Sequence, residues 1–427
     1  MRTRKCAVIV AGCIILLVMS ILFMDWLFLA IIIPFLILLC LGVLFFHEKK
    51  IDIDVVHNIS NNRVFENDQV EVIINIHNKG KDINFLELYD KLPDKVEIEH
   101  NSNYSILSLK KDEKITIKYK IKCPIRGLYQ IGPSYFRIKD YLGMFYHEQI
   151  SNVSSDLTVI PQIEEIGAIS VKGKANPYPG IMQTKRTGVG TEFFGIREYT
   201  SGDTFKRINW KSYARFNNLM VNEYELESTT DVIIILDARD IQNIGTLTNN
   251  PLEYSIKAAV AVASNFLKRR DRVGIIIYGD SEGKLKWIYP ESGKKQLYKI
   301  IRELVEVQSQ GEFLFQGVIN IALTYMLPKK SLIILISSLE QDQTIPKAVE
   351  ALIARNFNVI ILSPSQVEIE YLLNPKDPYY ETARRILSFE RKVFLSKIRN
   401  TGARVVDWNP TIPLAASLKE VERSQMR

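Results

Sequence analysis

The sequence predicts three kinds of structure in series: an N-terminal transmembrane helical hairpin, an all-β sandwich and a doubly wound α/β domain. Three observations carry this prediction. Residues 6–24 and 26–46 contain no charged side chain. Residues 51–160 hold short runs of alternating apolar and polar residues. From residue 231 onward, short wholly apolar runs alternate with stretches of helical spacing.

Each uncharged run has about the ~20 residues that a helix needs to cross a bilayer. Asp25-Trp26 between them fits a turn at the far interface, where a Trp anchors and a carboxylate stays wet. A signal peptide would need a small-residue cleavage site, which Met24-Asp25-Trp26 does not supply. Arg2, Arg4 and Lys5 precede the first run, and Lys49 and Lys50 follow the second. The positive-inside rule therefore puts both termini and the soluble chain in the cytoplasm, with membrane lipid as the partner of the hairpin. The sequons at Asn58, Asn103 and Asn152 would matter only with the opposite topology.

The 427 residues leave room for two or three domains, and the net charge is +7. The first fifty residues contribute +3 of it, so the long remainder carries only +4. That balance lacks the concentrated basic face that nucleic acid requires. Cys6, Cys13, Cys40 and Cys123 form no CxxC pair, which argues against a ribbon-type zinc site, and they suggest no disulfide framework.

In residues 51–160, Val70–Ile76 and Lys114–Ile121 alternate, and turn signals at Asn78-Lys79-Gly80, Leu92-Pro93-Asp94, Ile125-Arg126-Gly127 and Gly132-Pro133 separate the strands. This spacing suggests an immunoglobulin-like sandwich. Residues 161–230 read as a connector, with Pro161, Pro177 and Pro179 at its start. In residues 231–427, Val232–Leu236, Val273–Tyr278, Leu332–Ile336 and Val359–Leu362 read as strands buried on both faces. Helical segments fall at 252–267, 294–307, 318–326 and 379–399, and Ala403–Val406 is a last strand. Such alternation implies a mainly parallel sheet covered on both faces.

The most distinctive stretch contains Gly188, Gly190, Glu192, Phe193, Arg197, Glu198 and Tyr199, then Gly202, Asp203, Arg207, Asn209, Trp210 and Arg215. It resembles the signature of the DUF58 family, roughly GxGxEFxGxREYxxGDxxRxINWxxxAR. Arg126–Pro133 and Asp140–Phe145 resemble the family's second signature. The resemblance implies a membrane-anchored protein with a von Willebrand A-like domain and a MoxR-type AAA+ ATPase as partner. Read physically, acids and arginines interleaved with aromatics suggest a network of ion pairs that seats the connector on the α/β domain. The other reading is a docking surface or an acid–base site. No His follows His147, so Ser-His-Asp chemistry is not expected in the α/β domain.

Von Willebrand A domains hold a divalent cation through a DxSxS loop, a Thr and a further Asp; oxygen ligands of this kind suit Mg²⁺. Here the loop reads Asp237-Ala238-Arg239-Asp240-Ile241, so Arg239 and Ile241 stand where the serines would be. Phe315-Gln316-Gly317 occupies the place of the Thr, and Ser337-Ser338 that of the later Asp. The remnant Asp237, Ser337 and Ser338 describe a degraded site, with an Arg239–Asp237 ion pair as the alternative to Mg²⁺. Gly279–Lys284 has its glycines one residue too close for a P-loop, and Gly188-x-Gly190 lacks the third glycine of a dinucleotide fingerprint. No cofactor is expected. The resulting expectation is a membrane-tethered adaptor or assembly factor. Its rivals are an enzyme built on Glu192, Asp203 and Asp237, and a cell-envelope binding protein.

Overall fold

Thr3 starts the first helix: its hydroxyl accepts the Cys6 N–H and caps α1 (Arg4–Phe23). Met24 turns the chain in a left-handed conformation, and the Asp25 carboxylate accepts the Leu27 N–H at 3.0 Å to open α2 (Leu27–Phe46). The computed structural model describes residues 3–46, 52–139, 143–167, 187–225, 231–280, 285–325, 327–328, 331–340, 342–373 and 378–424. It divides into two units, Met1–Ile160 and Pro161–Arg427. By length and composition α1 is able to cross a membrane, whereas the apolar stretch described for α2, Leu27–Gly42, is shorter. The sequence expected two full spans; among the described residues one helix meets that test.

Eleven strands follow in the first unit: β1 (Ile53–Ile59), β2 (Arg63–Phe65), β3 (Gln69–Asn78), β4 (Ile83–Asp90), β5 (Glu97–His100), β6 (Tyr104–Leu109), β7 (Lys114–Lys122), β8 (Gly127–Ile131), β9 (Ser134–Lys139), β10 (Tyr146–Ile150) and β11 (Ser155–Ile160). They form sheets ordered β1-β3-β7-β5, β10-β9-β4-β6 and β2-β11-β8. Alternation decides what is buried. Val70, Val72, Ile74 and Ile76 of β3 meet Leu86 and Leu88 of β4, Phe136 and Ile138 of β9, and Leu157 and Val159 of β11 in one apolar core. The β-rich unit expected from the sequence is therefore present, with its sheets around a common core.

The second unit opens with Glu164, whose carboxylate accepts the N–H groups of Leu414 and Ala415 at 3.2 and 3.0 Å. Asn265 donates to the Ile166 carbonyl at 2.8 Å. The beginning of the predicted connector is thus strapped to the α/β domain. Pro177 and Pro179 lie outside the described residues. A ribbon of β12 (Thr187–Glu198) and β13 (Met220–Glu225) follows, antiparallel, with α3 (Trp210–Phe216) between its strands.

The α/β domain comprises β14 (Asp231–Asp237), α4 (Pro251–Lys268), β15 (Arg272–Tyr278), β16 (Lys286–Glu291), α5 (Lys294–Glu306), α6 (Phe315–Tyr325), β17 (Leu332–Ile336), α7 (Ile345–Ala354), β18 (Asn358–Pro364), α8 (Gln366–Leu373), α9 (Pro378–Asn400), β19 (Arg404–Trp408) and α10 (Leu414–Ser424). The sheet order is β16-β15-β14-β17-β18-β19. All neighbours run parallel except β16, which is antiparallel to β15. Ile233 and Ile235 point toward α6, α7 and α9 in one core. Val232, Ile234 and Leu236 alternate to the other face, and α4 lies against the sheet. Sequence periodicity missed β16, α7, α8 and α10, which are short. Phe315-Gln316-Gly317, read as a loop, forms the first turn of α6.

Candidate functional site

The chain order of the sheet reverses at β14, between β15 and β17, and ligands of open α/β sheets bind beside the carboxyl ends of strands at such a point. Asp237 ends β14 there and is fully buried. Arg239 Nε donates to its Oδ1 at 3.0 Å and a terminal guanidinium nitrogen to its Oδ2 at 2.7 Å. The Arg239 N–H, Gln242 Nε2 and Ser337 Oγ also donate to this carboxylate, at 3.1, 2.9 and 2.7 Å. Burial works against the Arg239 charge, but the Asp237 bond outweighs it and holds the guanidinium's pKa above its usual value.

The loops around this pair are built to fit it. Gly279 has φ +77°, and a Cβ there would fall 2.6 Å from the Arg239 backbone nitrogen, so glycine permits the close approach. Ser309 Oγ donates to the Arg239 carbonyl. Asp342 lies 3.7 Å from the Arg239 guanidinium and accepts the Phe315 N–H at the start of α6, at 2.9 Å. Asp280 is buried and pairs with Lys286 at 2.7 Å. Tyr278 is wholly buried; burial and then the Asp237 charge push its hydroxyl well above the usual phenol range. The carbonyl Oε1 of Gln242 accepts the Ser338 N–H at 3.3 Å.

The predicted remnant residues Asp237, Ser337 and Ser338 are therefore together, and the Arg239–Asp237 ion pair exists. A guanidinium that bonds both oxygens of Asp237 stands where a divalent cation would need them. The residues present do not fit Mg²⁺ without displacing Arg239. Sequence reading missed Asp280, Asp342, Gln242 and Tyr278, because none falls in a recognisable spacing with Asp237: Gln242 is five residues on, Tyr278 and Asp280 come from the end of β15, and Asp342 from the loop before α7.

The signature ribbon is a second, separate network. Arg197 makes a bidentate pair with Asp203 at 2.6 and 2.7 Å and reaches Glu223 at 2.9 Å. It also donates to the Glu198 carbonyl and to Thr200 Oγ1, while the Thr200 N–H donates to Asp203 at 2.9 Å. Gly202 supplies the turn at φ +118°. The Arg197 bonds, then the Thr200 N–H, hold the Asp203 carboxyl well below the usual carboxylate range. Asn209 caps α3 by accepting the Ser212 N–H at 3.0 Å and donates to Asn222 at 2.8 Å. The Tyr199 N–H bonds the Leu219 carbonyl.

Among the described residues these bonds run within the ribbon. Among the described residues no acid pairs with Arg207 or Arg215. Gly188 and Gly190 lie in β12, and the side chains of Glu192 and Phe193 lie outside the described ones. Among the described residues Asp203 and Asp237 share no partner.

What the ribbon leaves outside is aromatic and basic. Phe205, Trp210 and Phe216 are 75%, 60% and 66% exposed. Lys206, Lys211 and Arg215 lie among them, also exposed.

Comparison with known proteins places this segment. Residues 195–369 match the DUF58 family. The family is described as "Protein of unknown function DUF58", and the match supports membership of it. It takes in the DUF58 signature from Gly195 onward, the Arg239–Asp237 pair and the sheet as far as α8. No curated protein matches the chain. Solved structures with similarity include the CARDB domain of a Pyrococcus furiosus protein in complex with di-metal ions, at 14% identity over 26% of this chain and 89% of that one, TM-score 0.19. Another is the complex of zinc 2-glycoprotein with prolactin inducible protein from human seminal plasma, at 16% identity over 27% and 98%, TM-score 0.19. A third is a FixG-related protein from Vibrio parahaemolyticus, at 12% identity over 26% and 97%, TM-score 0.18. At these TM-scores the likenesses carry no argument.

The β-rich unit holds one further constellation. His57 on β1 bonds Ser155 on β11 at 2.7 Å and Asp90 on β4 at 3.0 Å. Asp90 also accepts from Tyr119 on β7 and, at 2.7 Å, from Ser134 on β9. The chain Ser155–His57–Asp90 has the bonding order of a nucleophilic triad. Yet Ser155 Oγ turns inward to the His57 carbonyl at 3.2 Å. With members from three sheets, the cluster is a polar tie across the core.

Proposed function

We propose that the chain is a membrane-anchored adaptor or assembly factor whose signature ribbon and von Willebrand A-like domain receive a protein partner, a MoxR-type AAA+ ATPase. The observation that carries this reading is the exposure of Phe205, Trp210 and Phe216 on a segment held by the Arg197–Asp203 and Asn209 bonds. Several large apolar side chains left in water on one short segment point to an interaction surface. The von Willebrand A-like assignment draws support from the strand order, from the antiparallel edge strand β16 and from the acid at the end of β14. The ATPase partner rests on the DUF58 resemblance.

Two apolar helices would form the anchor, with both ends and the soluble units in the cytoplasm. The Thr3 hydroxyl donates to the Gly143 and Met144 carbonyls at 2.8 and 3.0 Å, and Gly42 abuts Phe145. The start of α1 and the latter part of α2 thus meet the same β9–β10 turn, as a hairpin with both ends on one side requires. The positive residues flanking the two apolar runs agree.

The test is capture from native membranes. The chain is tagged at its C-terminus, solubilised gently and crosslinked, and the captured proteins are identified. A Phe205→Ala plus Trp210→Ala variant and a Glu192→Ala plus Arg207→Ala variant run alongside. The proposal expects an AAA+ ATPase with the wild type and its loss with the first variant. Absence of any such ATPase with the wild type overturns the partner.

A further inference from the structure

A cleft of ≈ 370 Å³ opens between the loop after β17 and helices α8 and α9. Leu339, Val367, Leu387 and Phe394 line its apolar walls. Three carboxylates, Glu340, Glu370 and Glu390, line it as well. Among the described lining residues the one cation is Arg391, and its guanidinium is already committed. It donates to the Ser338 carbonyl at 2.7 Å, to Ser363 Oγ at 2.7 Å and to Asp407 at 3.0 Å, and reaches Glu340 only at 3.3 Å. By its described residues the cleft is therefore acidic after its internal pairing has been counted.

A second observation is independent of the acids. Gln366 lines the cleft and is 8% exposed; its Nε2 donates to Glu370 at 2.9 Å, and its Oε1 is buried with no partner among the described residues. A buried acceptor left without a donor costs free energy until one is supplied. An N–H or O–H donor on a group bound in the cleft that Gln366 lines would complete it. Burial also raises the pKa of Glu340 against the opposing pull of Arg391, the behaviour of a carboxylate short of positive charge.

We infer that this cleft is a binding site for a guanidinium or ammonium carried on an aliphatic stem, the stem against Leu339, Leu387 and Phe394 and the head on Glu340, Glu370 and Gln366 Oε1. Its place beside the carboxyl ends of β17 and β18 is where open α/β sheets bind ligands. The guanidinium is the better fit, because its several donors match two carboxylates and a carbonyl at once. The choice of a protein side chain as its source rests on the adaptor reading; binding of the cation does not.

The experiment uses the purified full-length chain in detergent and follows binding of N-acetylarginine amide by saturation-transfer NMR. N-acetylcitrulline amide, the neutral isostere, is the control, and agmatine is the free small-molecule counterpart. Saturable binding of the arginine amide is expected, at least tenfold weaker for the citrulline amide, and lost in Glu340→Gln plus Glu370→Gln. A Phe389→Ala variant, changed outside the cleft, keeps it. Agmatine binding no tighter than the capped arginine identifies a partner's side chain; agmatine binding at least tenfold tighter identifies a small amine and overturns the protein source. Equal binding of citrulline and arginine amides, or binding that survives the double substitution, overturns the site. ATPase capture is scored separately, so loss of that partner leaves this outcome readable.

Discussion

Arg239 lies with its Nε and one terminal nitrogen on the two oxygens of Asp237, 3.0 and 2.7 Å away, at the buried end of the sheet's central strand. This pair decides what the domain is able to bind at its switch point. It fixes both oxygens that a metal would claim, and it leaves Asp342 facing a positive charge instead of a vacant coordination shell.

Breaking the pair from either side leaves a buried charge without its counterpart. Arg239→Ala and Asp237→Ala are each expected to cost about 3–5 kcal/mol, which is on the order of 10 °C in Tm for a domain of this size. Differential scanning calorimetry measures it. A loss below about 1 kcal/mol would place the pair in the class of surface ion pairs and contradict its burial.

Metal dependence follows from the same geometry. The wild-type Tm is expected to be the same in Mg²⁺ and in EDTA. Arg239→Ser plus Ile241→Ser restores the missing hydroxyls beside Asp237, and a Mg²⁺-dependent rise in Tm is expected in that variant alone. Mg²⁺ stabilisation of the wild type would show that the guanidinium yields its place.

Much of this was legible in the sequence, and the reason is periodicity. The apolar runs of β14, β15, β17 and β18 are buried on both faces, so their composition alone announces a parallel sheet. Asp237 and Arg239 were legible because they are two residues apart. Asp280, Asp342 and Arg391 were not, since they reach Gln308, Arg239 and Ser338 through tertiary contacts across 28, 103 and 53 residues of chain. The signature was legible in part: Arg197 and Asp203 do join a network with Glu223, and its described bonds run within the ribbon. Side-chain spacing cannot tell an internal fork from one that reaches a neighbouring domain.

Asp203 sets the pH response of the ribbon. Its folded pKa is depressed, so the stabilisation is present above the usual carboxylate pKa and is lost as pH falls through the folded value. Faster amide exchange at Thr200 is expected in Asp203→Asn already at neutral pH, and in the wild type only under strongly acidic conditions. Arg197→Lys should behave like Asp203→Asn, because an ammonium cannot reproduce the bidentate fork. Unchanged exchange in both variants would remove Arg197–Asp203 as the ribbon's clasp.

Glu340 carries the opposite sign. Its folded pKa is raised by burial, so the folded chain binds the proton more tightly than the unfolded one. Stability is therefore expected to fall as pH rises from the usual carboxylate value toward the raised one. Glu340→Gln should flatten that slope and be no less stable than the wild type near neutral pH. Chemical denaturation at several pH values reads this directly; a variant markedly less stable at neutral pH would mean that the bond to Arg391 outweighs burial.

Asp90 is the hub of the tie across the β-rich core, accepting from His57, Tyr119 and Ser134. Removing it leaves three buried donors without an acceptor, each costing about 1–3 kcal/mol. Asp90→Leu should therefore unfold the β unit or cost several times as much as His57→Gln, where an amide still has the reach to bond Asp90. Limited proteolysis of the full chain separates the two, because cleavage confined to residues 52–160 reports loss of that unit while the α/β domain persists. If Asp90→Leu leaves the β unit resistant, the core is held by its apolar layers alone, and the Ser155–His57–Asp90 chain has to be explained by something other than stability.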